Sequence, residues 1–388
     1  MKKNKLIVVV LVMLFILTSL NVFAQEGDLD LLNQSMKNYH INNFEKALQL
    51  NKQINLNKLK TSAKVDALYY RTLIELRLGN VLEAKEQMEM LFDMGYEFGR
   101  LHYELAKVYL NTYNNFDSAY YQSALEEFKQ ARSLGMNSAQ FHRDYALAYM
   151  GLNNHHKAIL QLELAILENG NIGDYLNLGN LYKELGNLEE ANKSYQKVLK
   201  KDQNNVTAYS EIGNILIKQA KYEEAARILR QGVQLDPDSF ILNYKLGEAY
   251  YNTQEWALAK SYLNKTIDLK NNYYLAYYHL GKISEHQKNY QEARYYLNEC
   301  IKYNPDYYWA FIALGDVSLK EENNYQAIAH YSDAIEKSPN YPTGHFHLAL
   351  AYNQAGMQNS AISELKRTLH LSDSHPEAQQ LLNKLTEE

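Results

Sequence analysis

One pair of residues in this sequence has the types and spacing that nucleophilic catalysis uses, but its companions are missing. Ser194 and Lys197 form an SxxK pair, in which a lysine can assist a serine nucleophile, yet no companion motif accompanies them. The sequence also lacks the GxGxxG, GxSxG, HExxH and phosphate-loop patterns of common enzymes. We therefore predict that the chain is not an enzyme. The alternative is an active site hidden in the irregular segment 28–98.

The residues that usually bind metals are equally poorly placed. His155 and His156 are adjacent, and His345 and His347 are two apart, so neither pair projects from one side of a helix. Cys300 is the single cysteine, which excludes an intramolecular disulfide and a zinc site built from cysteines. We predict no metal and no cofactor, and stability that depends on apolar packing.

Composition describes an ordinary globular protein with an acidic balance. Of the 388 residues, 46% are hydrophobic and 22% are charged, and the formal net charge is −5. These fractions are typical of soluble folded domains. Because a negative chain has no general attraction for phosphate backbones, the charge argues against nucleic acid as a partner.

Residues 1–24 have the three parts of an export signal. Three lysines come first, Leu6–Leu20 is almost entirely apolar, and Val22–Ala24 has the small-residue ending that a signal peptidase reads before Gln25. An uncleaved anchor is the alternative, although the apolar stretch is short for a span of about 20 residues. No second stretch approaches that length. The lack of disulfides favours a bacterial envelope protein, periplasmic or extracellular.

Three kinds of landmark residue recur every 34 positions. They are Gly179, Gly213, Gly247, Gly281 and Gly315, then Ala191, Ala225, Ala259, Ala293, Ala327 and Ala361, and finally Pro237, Pro305 and Pro339, with Gln203 and Asn271 filling the gaps in the proline register. Between the landmarks, apolar residues are spaced by three and four, which is typical of helices. Gly186 is placed to end a first helix and open a short turn, and the prolines are placed to end the second. Each period therefore predicts a pair of helices.

The repeat resembles the tetratricopeptide repeat, whose pattern is an aromatic, Leu-Gly, an aromatic, then Ala, an aromatic and Pro. Its fullest match is Phe311, Leu314, Gly315, Ala327, Tyr331 and Pro339. The regular units are 172–205, 206–239, 240–273, 274–307, 308–341 and 342–375. The resemblance implies an all-α, right-handed superhelical solenoid of about ten antiparallel helix pairs. We predict degenerate repeats over 25–98, the regular solenoid over 99–375 and a capping helix over 376–388.

The resemblance also implies where a partner binds, because proteins of this family hold an extended peptide or a helix on the surface lined by each first helix. The aromatic inner-face residues predicted for this surface are Tyr244, Tyr251, Tyr278, Trp309, Ile312 and Phe346. Aromatic side chains combine a large apolar area with a polar tip, which suits peptide recognition. The alternative is ordinary packing, since the chain has 34 tyrosines.

A second candidate surface is a basic strip nearer the N-terminus. It comprises Arg77, Arg100, Lys107 and Arg143. Arginine can pair bidentately with a carboxylate, so an acidic partner would fit. Glu104 and Asp66 lie nearby in sequence and favour a mixed, solvated face instead. The family's carboxylate-clamp pattern is absent, because Leu176 stands where a lysine would be expected.

We therefore predict an exported, non-enzymatic scaffold or adaptor whose partner is a protein or an extended peptide. The alternative is a module that binds glycan or peptidoglycan fragments, since aromatic rings also stack on sugars. Fold-level resemblance does not decide between the two. The oligomeric state is left open.

Overall fold

The computed structural model of this chain describes residues 25–111, 118–372 and 374–387. The described residues form twenty-one α-helices and one short 3-10 helix, Leu56–Lys58, without a β-strand among them. In chain order, α1 to α21 span 25–40, Phe44–Lys52, Thr61–Leu78, Val81–Asp93, Gly99–Asn111, Ser118–Ser133, Ala139–Gly151, His155–Asn169, Ile172–Glu184, Leu188–Lys201, Val206–Lys218, Tyr222–Leu235, Phe240–Asn252, Trp256–Leu269, Tyr274–His286, Tyr290–Tyr303, Tyr308–Lys320, Asn324–Lys337, Pro342–Gln354, Gln358–Leu371 and Pro376–Glu387.

The predicted fold class is confirmed: the described chain is all-α, and its helices pair with their neighbours in sequence. It divides into two compact units, Met1–Asn187 and Leu188–Glu388. Within each unit the helices of a pair pack against each other, and the second helix also packs against the next first helix. The predicted signal segment, residues 1–24, lies outside the described residues. None of the described helices has the length and apolarity that crossing a bilayer demands.

The second unit is held together by the close approach of a first-helix glycine to a large second-helix side chain. A Cβ atom added to Gly247 would lie 2.8 Å from Leu263 Cγ, and one added to Gly281 would lie 2.8 Å from Leu297 Cγ. At Gly315 the added atom would overlap the ring of Tyr331. The three opposing side chains are fully buried. The glycines that recur every 34 residues therefore mark the points where the two helices of a pair approach each other most closely.

A second device of the same period closes the turn inside each pair. The left-handed turn residue is Gly186, Ala220, Gln254, Lys288, Glu322 or Gly356. At Ala220, the N–H of the following Lys221 donates to the carbonyl of Leu216 over 2.9 Å, which is the pattern of a Schellman cap. The predicted stop at Gly186 is confirmed by its φ of 75°. Four of the six positions carry a side chain in a conformation that costs such residues about 1 kcal/mol.

We predict that Gly315→Ala lowers the free energy of unfolding by roughly 2 kcal/mol, because overpacking a filled core costs about that much. Tyr331 cannot move aside, since it is fully buried and its hydroxyl donates to Asp316 over 2.7 Å. Equilibrium denaturation followed by circular dichroism measures the change.

The matched control for this substitution is Gly344→Ala, where the added atom has Ile335 Cγ1 at an ordinary 3.4 Å. There the higher helix propensity of alanine should leave stability unchanged or raised. Equal losses in both variants would show that close approach is not what requires glycine.

Candidate functional site

The first helices of the second unit carry an aromatic face that a set of tyrosines organises. Each tyrosine of the set immediately precedes a first helix, and its ring packs against an aromatic ring of the previous first helix. The ring centroids of Tyr273 and Tyr244 are 4.9 Å apart, and those of Tyr307 and Tyr278 are 5.3 Å apart. Tyr341 lies 5.1 Å from Trp309 in the same way. Sequence reasoning missed this set, although the three tyrosines share the 34-residue spacing of the other landmarks.

Two of the predicted aromatic inner-face residues are buried, which contradicts their predicted exposure. Tyr244 is 7% exposed because Tyr273 covers it, and Ile312 is 4% exposed because it packs into the core around Tyr331 and Leu348. Both hold neighbouring repeats together and offer no surface to a partner.

The other four predicted residues are partly exposed, and they fall into separate groups. Tyr251 and Tyr278 meet around His279, with ring centroids 4.8 Å and 5.4 Å from the imidazole. Trp309 stacks against Tyr308 in the next pair of helices. Phe346 stands further along, 4.5 Å from His375. Their role in binding stays a prediction.

His279 is the polar group around which the first aromatic group packs. Its Nε2 lies 3.3 Å from the hydroxyl of Tyr244, while its enclosed Nδ1 has no hydrogen-bond partner among the described residues. Burial lowers the pKa of His279 to about 4 and raises the pKa of Tyr278 above its ordinary value. The imidazole is therefore neutral at pH 7, and this part of the face has an apolar character.

Charged residues beside the aromatic face are paired with one another. The buried carboxylate of Glu285 accepts ion pairs from Lys282 at 2.6 Å and from Lys320 at 2.5 Å. Lys282 also lies 3.8 Å from Asp316. Because two anions face two cations here, the face presents little net charge to a partner.

Asp316 is held in its ionised form by its neighbours. Burial opposes ionisation, but hydrogen bonds with His347 at 3.1 Å and from Tyr331 at 2.7 Å, together with the charge of Lys282, keep its pKa below the ordinary value. Asp316 thus links the ion pairs of the face to the buried second-helix side chain that opposes Gly315.

The predicted basic strip in the first unit is already occupied by a carboxylate. Arg77, Arg100 and Lys107 converge on the buried Glu104, at 3.2 Å, 2.5 Å and 3.2 Å. The three cations surround one buried carboxylate, which neutralises part of their charge.

Arg143, the fourth residue of the predicted strip, serves the joint between α7 and α9. Its guanidinium binds Asp174 over 2.8 Å and 3.0 Å and also donates to the carbonyl of Asn169. Asp174 in turn caps α9 together with Asn171. The four basic residues of the strip are therefore paired with buried carboxylates, and their role in binding stays a prediction.

The residues considered for chemistry are placed for packing. The Ser194 hydroxyl donates to the carbonyl of Glu190 over 2.9 Å within its own helix. Cys300 is buried, and burial raises the pKa of its thiol to about 12. Over the described ranges, no three His, Cys, Asp or Glu side chains come together as metal ligands would.

We predict that acidification destabilises the aromatic group through His279. Its folded pKa lies below the unfolded value, so its contribution is present above pH 6.5 and is lost as the pH falls toward 4. A pKa depressed by this much corresponds to about 2 kcal/mol at pH 4.5.

The measurement is the difference in unfolding free energy between pH 7 and pH 4.5, for the wild-type chain and for His279→Phe. The variant should lose about 2 kcal/mol less than the wild type, since its ring has no proton to gain. The exposed His286 provides the control variant, His286→Phe. Identical pH dependence in wild type and His279→Phe would contradict the assignment.

Family models match the regular part of the chain. A model described as TPR repeat matches residues 179–220 and 213–254, and two described as tetratricopeptide repeat match 242–269 and 274–307. No curated protein matches the chain.

Solved structures resemble the fold at low sequence identity. A tetratricopeptide repeat protein from Parabacteroides merdae aligns at a TM-score of 0.54 and 18% identity, covering 64% of this chain and 99% of that one. A chain of the APC/C hetero-tetramer Cut9-Hcn1 aligns at 0.52 and 13% identity, covering 93% of this chain and 84% of that one. At such identities the likeness concerns the fold alone.

Proposed function

We propose that this chain, which is a tetratricopeptide-repeat protein, is an exported, non-enzymatic scaffold that binds a protein or an extended peptide on the first-helix face of its second unit. The observation that carries the proposal is the set of four partly exposed aromatics, Tyr251, Tyr278, Trp309 and Phe346, one on each of four first helices. Tyrosine and tryptophan are the residues that most often dominate the binding energy of protein interfaces.

The packing of these aromatics supports binding because it fixes them before a partner arrives. Tyr278 is held between His279 and Tyr307, and Trp309 between Tyr308 and Tyr341. A side chain already held in one rotamer loses little entropy on binding.

The charge pattern defines the kind of partner segment. Since Lys282, Lys320, Glu285 and Asp316 neutralise one another, an uncharged segment rich in apolar side chains fits this face better than a strongly charged one. A chain of similar fold occurs in the hetero-tetramer Cut9-Hcn1, which is consistent with a role in protein assembly.

The proposal predicts that Tyr278→Ala/Trp309→Ala weakens partner binding at least tenfold. Peptides selected from a random library by the wild-type chain would be titrated against both proteins by fluorescence anisotropy. Two truncated anchors of about 1 kcal/mol or more each account for the expected loss.

The matched control is Tyr295→Ala/Tyr325→Ala, which truncates two exposed tyrosines on the second helices α16 and α18. It should bind like the wild type. Circular dichroism checks that all variants are folded, and Trp309→Ala alone serves if the double variant is not. Equal binding by the wild type and the face variants would remove this face as the site.

The glycan alternative is tested with the same proteins and purified peptidoglycan fragments. If the wild-type chain binds the fragments, the face variants do not, and selection enriches no peptide, the chain is a glycan-binding module that uses the same aromatics.

Export is a separate proposal with its own measurement. Expressed in a bacterium, the full chain should appear outside the cytoplasm with Gln25 as its first residue, because the pattern of residues 1–24 is that of a cleaved signal. Replacing the three lysines by glutamates should slow processing. A chain that keeps Met1 and stays in the cytoplasm would contradict export while leaving the binding proposal intact.

A further inference from the structure

An open cleft lies in the first unit. It is bounded by α4, by the start of α5 and by Glu127 of α6, and it has a volume of about 290 Å³. Helices α4 and α5 make much less contact than the corresponding helices α6 and α7 of the next repeat, so a gap remains between them.

The cleft has an apolar floor and exposed aromatic walls. Met88, Leu91 and Leu101 form the floor. Phe92 is 65% exposed and Tyr96 is 39% exposed beside it. Large apolar side chains that remain in water around a concave site usually mark a place where a partner binds.

The rim of the cleft is acidic. Glu89, Glu97 and Glu127 line it, against one lysine, Lys85. His102 lies between two of the acids, with Nδ1 2.7 Å from Glu127 and Nε2 3.4 Å from Glu97. Three carboxylates around an apolar floor create a negative potential at the mouth.

The single lysine of the rim has a partner of its own. Lys85 donates to the hydroxyl of Tyr109, and its ammonium also lies 5.5 Å from the centroid of that ring. Lys85 also interacts with Glu127 and Glu89 and so neutralises part of the rim, but three carboxylates against one lysine leave the acids in excess.

We infer that this cleft binds a segment of a partner protein in which one bulky apolar side chain is flanked by lysines or arginines. The apolar side chain would enter the gap between Phe92 and Leu101, and the flanking cations would meet Glu89 and Glu97. A cavity of about 150 Å³ holds a benzene-sized group, so 290 Å³ has room for one large side chain and part of another.

The inference is independent of the proposed function, because the two surfaces lie in different units and select different partners. An uncharged apolar segment suits the aromatic face, whereas a basic one suits the cleft. Two binding surfaces of different chemistry on one chain would let it hold two partners at once.

Three labelled ten-residue peptides with a Leu-Phe centre provide the probes, flanked on both sides by two lysines, two serines or two glutamates. The full chain is titrated with each by fluorescence anisotropy at low salt. We expect the lysine peptide to bind at least tenfold more tightly than the serine peptide, and the glutamate peptide not to bind. Added salt should weaken the binding of the lysine peptide, since salt screens the attraction between exposed charges.

Cleft variants locate the binding. Phe92→Ser should weaken the lysine peptide at least tenfold, and Glu89→Gln should weaken it about threefold, in line with the loss of one exposed ion pair. Both residues are exposed, so the fold should tolerate either change.

Met90→Ser and Glu83→Gln, on the other face of α4, are the matched controls and should have no effect. Tyr278→Ala/Trp309→Ala should leave this binding unchanged, which separates it from the proposed function. No binding of the lysine peptide, equal binding of all three peptides, or binding that Phe92→Ser does not alter would each overturn the inference.

Discussion

The fold of the second unit depends on one steric constraint, the absence of a side chain where a first helix meets a large, fully buried residue of its second helix. Gly247, Gly281 and Gly315 each face a fully buried leucine or tyrosine at a separation that leaves no room for a methyl group. Protein interiors are packed as densely as organic crystals, so this contact sets how closely the two helices lie. Because the contact recurs every 34 residues, every other residue of the repeat recurs in the same place.

That recurrence explains why the aromatic face is both structural and accessible. Tyr273, Tyr307 and Tyr341 cover the preceding first helix and bury part of each aromatic that lies on it. What remains exposed is part of a residue whose ring packs against its neighbours. His279 completes the group with a nitrogen that has no hydrogen-bond partner in the described part of the chain, so the packing of this face depends on a neutral imidazole.

The helix pairs could be predicted from the sequence because their determinants are local: glycine, alanine and proline at fixed spacing act within one repeat. The exposure of individual side chains could not be predicted, because it depends on residues of the next repeat. Tyr244 looks available on its own helix and is buried by Tyr273, which follows a whole helix later. The pairing of the basic strip could not be predicted for a related reason, since Glu104 binds three cations that approach it from two different helices. The cleft beside Phe92 forms because α4 and α5 make little contact with each other, and no residue pattern in the sequence predicts reduced contact between two helices.

The left-handed turn residues at Ala220, Gln254, Lys288 and Glu322 have a consequence for how the gene of such a chain can change in length. The turn residues, the glycine contacts and the covering tyrosines each recur every 34 residues within the second unit. Recombination that adds or removes 34 residues therefore restores every pairing at the new junction, wherever in the period it falls. An insertion of any other length inside a helix separates all three at once. The number of repeats can consequently change more easily than the length of any single repeat.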